Sequence, residues 1–181
     1  MSLPTIGTLT SVPVDEHPDL LAEPVRSALA DWPHTPRTAI VEIDPALADT
    51  AAMTQAYSVS LEASANCVVV LGRRGGEERI AACVVRADMR ADVNNVVRRL
   101  LDVRKASFLS MERAVEETGM EYGGITPIGL PKGWRLLISA EAAEIAVAVI
   151  GSGVRRSKLV LPGALLADIP GAEVVPDLAF R

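Results

Sequence analysis

A chain of 181 residues, almost half of them apolar and few aromatic, is long enough for one domain with a sizeable core of Val, Ile, Leu and Ala. Its net charge of −5 weighs against general nucleic-acid affinity, and its two cysteines are too few for a disulfide scaffold and lack zinc-ligand spacing. No apolar run reaches the roughly 18 to 20 residues of a membrane helix, and no basic stretch precedes an apolar one at the N-terminus. The expectation is a soluble, cytoplasmic protein in which Cys67 and Cys83 stay thiols.

The acidity is concentrated early. Residues 1–60 carry eight acidic residues against Arg26 and Arg37, whereas residues 61–181 carry 16 basic and 15 acidic ones. Pro4, Pro13 and Pro18, with no clear period between them, predict an extended arm. Leu20, Leu21, Val25 and Leu29 then lie at helical spacing, predicting a helix over 19–31 that Trp32-Pro33 stops. The chain accordingly divides into an N-terminal arm and helix over residues 1–37 and a main domain over 38–181. His17 and His34 stand isolated beside prolines and read as surface residues, so no metal site is expected.

Thr38 to Ile43 alternates like a strand. Asp44-Pro45 is a helix start, a side-chain cap followed by a residue whose missing N–H costs nothing there, and the helix is predicted to run to Tyr57. Ala48, Ala52, Met53 and Ala56 give it a small-residue face suited to close packing on a sheet. Val68–Leu71 and Ile80–Val85 are nearly continuous apolar runs separated by residues 72–77, hence two hairpin strands buried on both faces. Such burial predicts an α+β domain with a mixed, barrel-like sheet and helices outside it. With a turn near Gly75, Cys67 and Cys83 come close to opposite each other.

Asp92 caps a predicted helix through Val93, Val96, Val97, Leu100 and Leu101. A short strand over 103–108 follows, and Ser110 caps a helix over Met111–Thr118 that Gly119 ends. The chain then enters Gly123-Gly124-Ile125-Thr126-Pro127-Ile128-Gly129. Glycines let a ligand approach main-chain N–H and C=O groups, and proline stiffens the loop, so this stretch is either a connector turn or a site that works with backbone dipoles. Leu136–Ser139, Ile145–Ile150 and Leu159–Leu161 read as the remaining strands, and Pro162–Ile169 as a terminal helix. Gly151-Ser152-Gly153 reads as a hairpin turn or as a bare pocket wall. Arg98-Arg99, Arg104-Lys105 and Arg155-Arg156 with Lys158 either meet phosphates or form solvated faces. There is no P-loop, no Gly-x-Ser-x-Gly elbow and no paired metal-ligand motif, so no cofactor is expected.

From about Thr50 onward this order of features resembles the YbaK-like family of aminoacyl-tRNA deacylases, related to the editing domain inserted in bacterial prolyl-tRNA synthetases. Gly123 to Gly129 matches the family's Gly-Gly-x-x-Pro-x-Gly loop residue for residue, and Gly151-Ser152-Gly153 matches its later glycine-rich turn. The resemblance implies hydrolysis of a mischarged aminoacyl-tRNA ester, with the tRNA 3′ acceptor end as partner and an aminoacyl-tRNA synthetase as the first sieve. A small residue such as Ala or Cys on proline tRNA is the implied substrate.

The resemblance also distributes roles. The Gly123 and Gly124 main chains would position water or the carbonyl, Thr126, Pro127 and Gly129 would fix the loop and meet the substrate, and Gly151, Ser152 and Gly153 would shape the pocket. Met53 and Tyr57 lie on the helix that the family sets beside the amino-acid pocket. Where the family places a lysine resembling a phosphate-binding group, this chain has Asn66. A neutral amide makes a weaker contact than a charged group. Either another cation such as Arg79 or Lys132 compensates, or the substrate differs, or the chain binds tRNA ends or a small metabolite without turnover.

Overall fold

A computed structural model describes residues 2–181. The strands are β1 (Val12–Pro13), β2 (Ala39–Glu42), β3 (Ala65–Arg74), β4 (Glu77–Arg86), β5 (Arg90–Ala91), β6 (Ala106–Phe108), β7 (Arg135–Ser139), β8 (Ala148–Gly151), β9 (Ser157–Leu161), β10 (Ala172–Val175) and β11 (Ala179–Phe180). The helices are α1 (Glu23–Asp31), α2 (Thr50–Tyr57), α3 (Arg98–Leu100, continuing a π turn over Val93–Val97), α4 (Met111–Thr118) and α5 (Ala140–Ala143). This is a single α+β domain with a mixed sheet and surrounding helices.

The strands do not close into a barrel. They form an antiparallel sheet in the order β1-β2-β9-β8 and a mixed sheet in the order β10-β7-β4-β3-β6, with β11 and β5 as a separate pair. The two larger sheets abut where Ser64 bridges Val149, at the start of β3 and beside β8. Residues of both sheets line a seam beside that bridge.

The β3–β4 hairpin turns more tightly than its sequence suggests. Arg74 pairs with Glu77 across Gly75 and Gly76 alone, whose φ values of +57° and +83° suit a two-residue turn that keeps the strand twist. The hairpin sets Cys67 opposite Val84 and Val68 opposite Cys83, one position from facing cysteines. Near the other end of the chain, the predicted terminal helix is a 3₁₀ segment (Gly163–Asp168), and it leads into β10, which adds in parallel to β7.

The predicted helix over 44–57 is broken. Asp44 caps a single 3₁₀ turn, its Oδ1 accepting from the Ala46 N–H at 2.9 Å, and Asp49 then turns extended before α2 begins. The break matters because it points Ala48, Asp49 and Thr50 toward the seam. Met53 packs from α2 onto Val41, Val149 and Val160 on one face of the antiparallel sheet.

The N-terminal segment is built into the core. Val25, Leu29 and Trp32 of α1 and its flank are buried with Ile138, Leu159 and Leu166. Burying a side chain of this size contributes about 1.5 to 3 kcal/mol. The helix lies over two of the glycine positions: a Cβ on Gly129 would meet the Pro24 carbonyl oxygen at 2.4 Å, and one on Gly153 would meet Ala22 Cβ at 2.3 Å.

Candidate active site

A cleft of about 340 Å³ occupies the seam between the sheets. That volume is at the small end of ligand sites. Four segments build it: the start of α2 with Asp49, Thr50 and Met53; the start of β3 with Ser64, Asn66 and Cys67; the loop with Tyr122, Gly123 and Ile125; and the β8–β9 hairpin with Val149, Gly151 and Lys158. The sequence-predicted residues Asn66, Gly123, Gly151 and Met53 thus meet in one place.

The other predicted residues lie elsewhere. Gly124 packs against the hairpin, its N–H donating to the Glu121 carbonyl at 2.9 Å and its carbonyl accepting from the Gly153 N–H at 2.7 Å. Ser152 is fully buried, its hydroxyl 2.7 Å from Ser157 Oγ and donating to the Ser157 carbonyl at 3.0 Å. Thr126 is fully buried outside the cleft, and Pro127 and Gly129 line a different hollow beneath α1. The Tyr57 hydroxyl accepts from the Asp44 N–H at 2.9 Å, and Tyr57 lines a separate hollow with Thr8, Leu9 and Glu42. Gly124, Gly153 and Ser152 hold the glycine segments together, and only Gly123 and Gly151 face the hollow.

The close approach of those segments explains the glycines. A Cβ on Gly151 would lie 2.5 Å from the Gly124 carbonyl oxygen and 2.7 Å from that of Ile125. Gly123 has φ +79°, in the left-handed region that favours glycine, and its N–H has no hydrogen-bond partner among the described residues. Arg155 braces the rim. Its guanidinium donates to the Tyr122 carbonyl and to the Pro45 carbonyl, each at 3.1 Å, tying the loop to the approach of α2.

Asn66 is fixed by a neutral contact, Thr50 Oγ1 donating to its Oδ1 at 2.8 Å. The cation in the cleft comes from the Arg155-Arg156-Lys158 cluster, which the sequence leaves open between meeting phosphates and forming a solvated face. Lys158, only 6% exposed, donates from Nζ to the Gly123 carbonyl oxygen at 3.2 Å and has no ion pair among the described residues. Burial, then the neighbouring charge of Arg155, pulls its ammonium down to about 8, with Asp49 opposing. No local signal marks it: every residue of β9 is buried, so both faces of the strand are covered and alternation does not tell where Lys158 points. Arg79 instead donates to the Leu101 carbonyl at 2.9 Å and pairs with Asp102, and Lys132 lies with Pro127 and Gly129; neither lines the cleft.

The rest of the cleft offers no activated nucleophile. Burial, reinforced by Cys83, pushes the Cys67 thiol above its ordinary range and keeps it protonated. The Ser64 hydroxyl is buried with no hydrogen-bond partner among the described residues. No cluster of three metal-ligating side chains occurs among the described residues, and no helix there is long and apolar enough to cross a membrane. What the site presents is one buried cation with Asp49 nearby, the neutral polar side chains of Thr50, Ser64 and Asn66, backbone bared at Gly123 and Gly151, and an apolar wall.

A family model described as the aminoacyl-tRNA editing domain matches residues 44–169, a span that contains every cleft-lining residue. No curated protein matches the chain. Among solved structures, a protein proposed as a trans-editing enzyme for prolyl tRNA synthetase is similar over 86% of this chain and 94% of its own, with a TM-score of 0.72 at 19% identity. A second structure, of a protein described as hypothetical, is similar over 78% of this chain and 90% of its own, with a TM-score of 0.69 at 20% identity. At such identities the likeness is one of fold.

Proposed function

This chain belongs to the aminoacyl-tRNA editing domain family, and on that premise we propose that it hydrolyses the ester of a mischarged aminoacyl-tRNA. The observation that carries the reading is the convergence of Gly123, Gly151 and Asn66 on a single cleft large enough for a small aminoacyl group. An aminoacyl ester is already activated. A site that places water and stabilises the developing oxyanion with preset donors needs no side-chain nucleophile. The free N–H of Gly123 is such a donor.

The acyl side chain would rest against Met53, Ile125 and Val149, a wall that favours small residues such as Ala or Cys. An apolar wall discriminates by only about 1 to 3 kcal/mol per methylene. Editing here therefore works as a second sieve behind a synthetase, acting in trans on proline tRNA; a protein of similar fold is described as a proposed trans-editing enzyme for prolyl tRNA synthetase. The test is a deacylation assay over mischarged tRNAs, with Ala-tRNA and Cys-tRNA for proline expected to lose their ester and correctly charged Pro-tRNA to persist. Equal stability of all of them in the presence and absence of the protein would overturn hydrolysis.

One observation favours a second reading, in which the cleft binds acylated tRNA ends without turnover. Asn66 is neutral and already engaged by Thr50. Under that reading Asn66→Lys gains activity that the unaltered chain lacks, whereas under the first the unaltered chain is already active.

A further inference from the structure

We infer that Lys158 is the electrophilic group of this cleft, its ammonium meeting the acyl carbonyl oxygen as negative charge builds there. The inference rests on the hydrolytic reading above and adds the residue that supplies its charge.

Position decides which part of the substrate Lys158 can meet. Its side chain rises from β9, between Val41 on β2 and Gly151 on β8, and is almost wholly buried. Bringing a hydrated phosphodiester to that depth would strip its solvation, a cost that one buried ammonium repays only in part. The acyl group reaches that depth, because it is the small end of the molecule and carries no phosphate. Nζ lies 3.2 Å from the Gly123 carbonyl, so the ammonium sits beside the same residue whose free N–H is the backbone donor. A cation and an unpartnered N–H thus belong to the same end of the cleft, the two kinds of donor that stabilise an oxyanion.

The charged surroundings are sparse. Asp49 at the start of α2 and Arg155 before β9 are the charged side chains acting on Lys158, and Tyr122 and Cys67 are the other titratable groups lining the cleft. None neutralises it in a salt bridge among the described residues. A lysine that is buried without a carboxylate partner costs stability, and a perturbed ionisable group in a cleft is a candidate for function. The Ser64 hydroxyl in the same cleft is a second buried polar group, without a hydrogen-bond partner among the described residues.

In the step itself, the water oxygen bonds to the acyl carbon while the carbonyl oxygen takes up negative charge beside Lys158 and the Gly123 N–H. The acyl C–O bond to the ribose then breaks, one water proton passes to the departing ribose oxygen, and the released amino acid loses the other as its carboxyl ionises. Lys158 remains protonated throughout. Its role therefore vanishes when it loses its proton.

The experiment measures single-turnover deacylation of Ala-tRNA for proline by the full chain and by Lys158→Met and Lys158→Arg. Lys158→Met should lower the rate constant by about 100-fold or more, the usual effect of removing one oxyanion donor, with substrate affinity changed less than threefold. The unaltered protein should lose rate, after correction for spontaneous hydrolysis, as pH rises through about 8. This profile needs no variant and stands even if a variant fails to fold. A rate constant within threefold in Lys158→Met, or a rate that climbs through that pH as a general base would give, overturns the inference while leaving hydrolysis intact. An unaltered chain inactive on every ester overturns both.

Discussion

Gly124 and Gly151 touch backbone to backbone, so that a Cβ on Gly151 would stand 2.5 Å from the Gly124 carbonyl oxygen. The same carbonyl accepts from the Gly153 N–H at 2.7 Å, which locks the loop against the hairpin. Since backbone cannot rotate away as a side chain can, Gly151→Ala must push the two segments apart. A loss of about 1 to 3 kcal/mol is expected, measured by urea denaturation, together with loss of deacylation. Unchanged stability and activity would show that the segments yield freely.

Gly123→Ala tests a different strain. A Cβ there would meet the Arg155 guanidinium at 2.6 Å, a flexible side-chain end that can move, but the φ of +79° remains unfavourable for alanine. The expected cost is about 1 to 2 kcal/mol, with activity reduced because the loop shifts and Arg155 leaves the rim. Gly75→Ala is the control: its φ is +57° but nothing lies within 4 Å of the added Cβ. It should cost a similar amount and leave deacylation unchanged. Equal loss of activity in both would assign the effect to general destabilisation.

Lys158→Met should stabilise the protein near neutrality. The folded ammonium titrates at about 8, below the ordinary lysine value of about 10.4. Below about pH 8 the lysine is charged in both states, so the full cost of its burial is present; between the two values the folded lysine sheds its proton first and the cost is relieved. The variant should gain about 1 to 3 kcal/mol at pH 7 and less as pH approaches 10. Chemical denaturation at the two pH values checks this, and a stability difference independent of pH would refute it.

Acid stability should depend on Glu78. Hydrogen bonds from Arg113, at 2.9 Å, and from Arg73, at 2.7 Å, hold its carboxylate at about 2 and tie the β3–β4 hairpin to α4. A depressed carboxylate contributes stability that is complete above its unfolded value of about 4.3 and lost as pH falls toward about 2. Glu78→Gln should thus lower Tm at pH 7 and make no difference near pH 2. The effect should also shrink in high salt, because the network is exposed.

Cys67→Ser addresses the absence of a nucleophile. Burial keeps the thiol protonated although Cys67 lines the cleft. Deacylation should remain within about threefold, against the far larger loss that removal of a covalent nucleophile brings. Inactivation by the serine substitution would reassign the mechanism to thiol chemistry.

Sequence alone determined what depends on neighbours along the chain. Ser110 caps α4 and Gly119 ends it with φ +67°, Asp92 accepts from the Asn95 N–H, and the hairpin strands fall where the apolar runs do. These are local matters of capping, steric freedom and periodicity, and the glycine loop was legible for the same reason. Which residues of that loop face a ligand was decided by packing: Gly123 fronts the cleft, whereas Gly124 spends its backbone on the hairpin and Thr126 is buried away from it. β10 escaped notice because its pairing is parallel to a strand more than thirty residues earlier, which no local pattern encodes. Lys158 escaped for a related reason: whether a charge beside apolar residues points to water or inward is set by the sheets on either side of it, and only their juxtaposition buries it against Gly123.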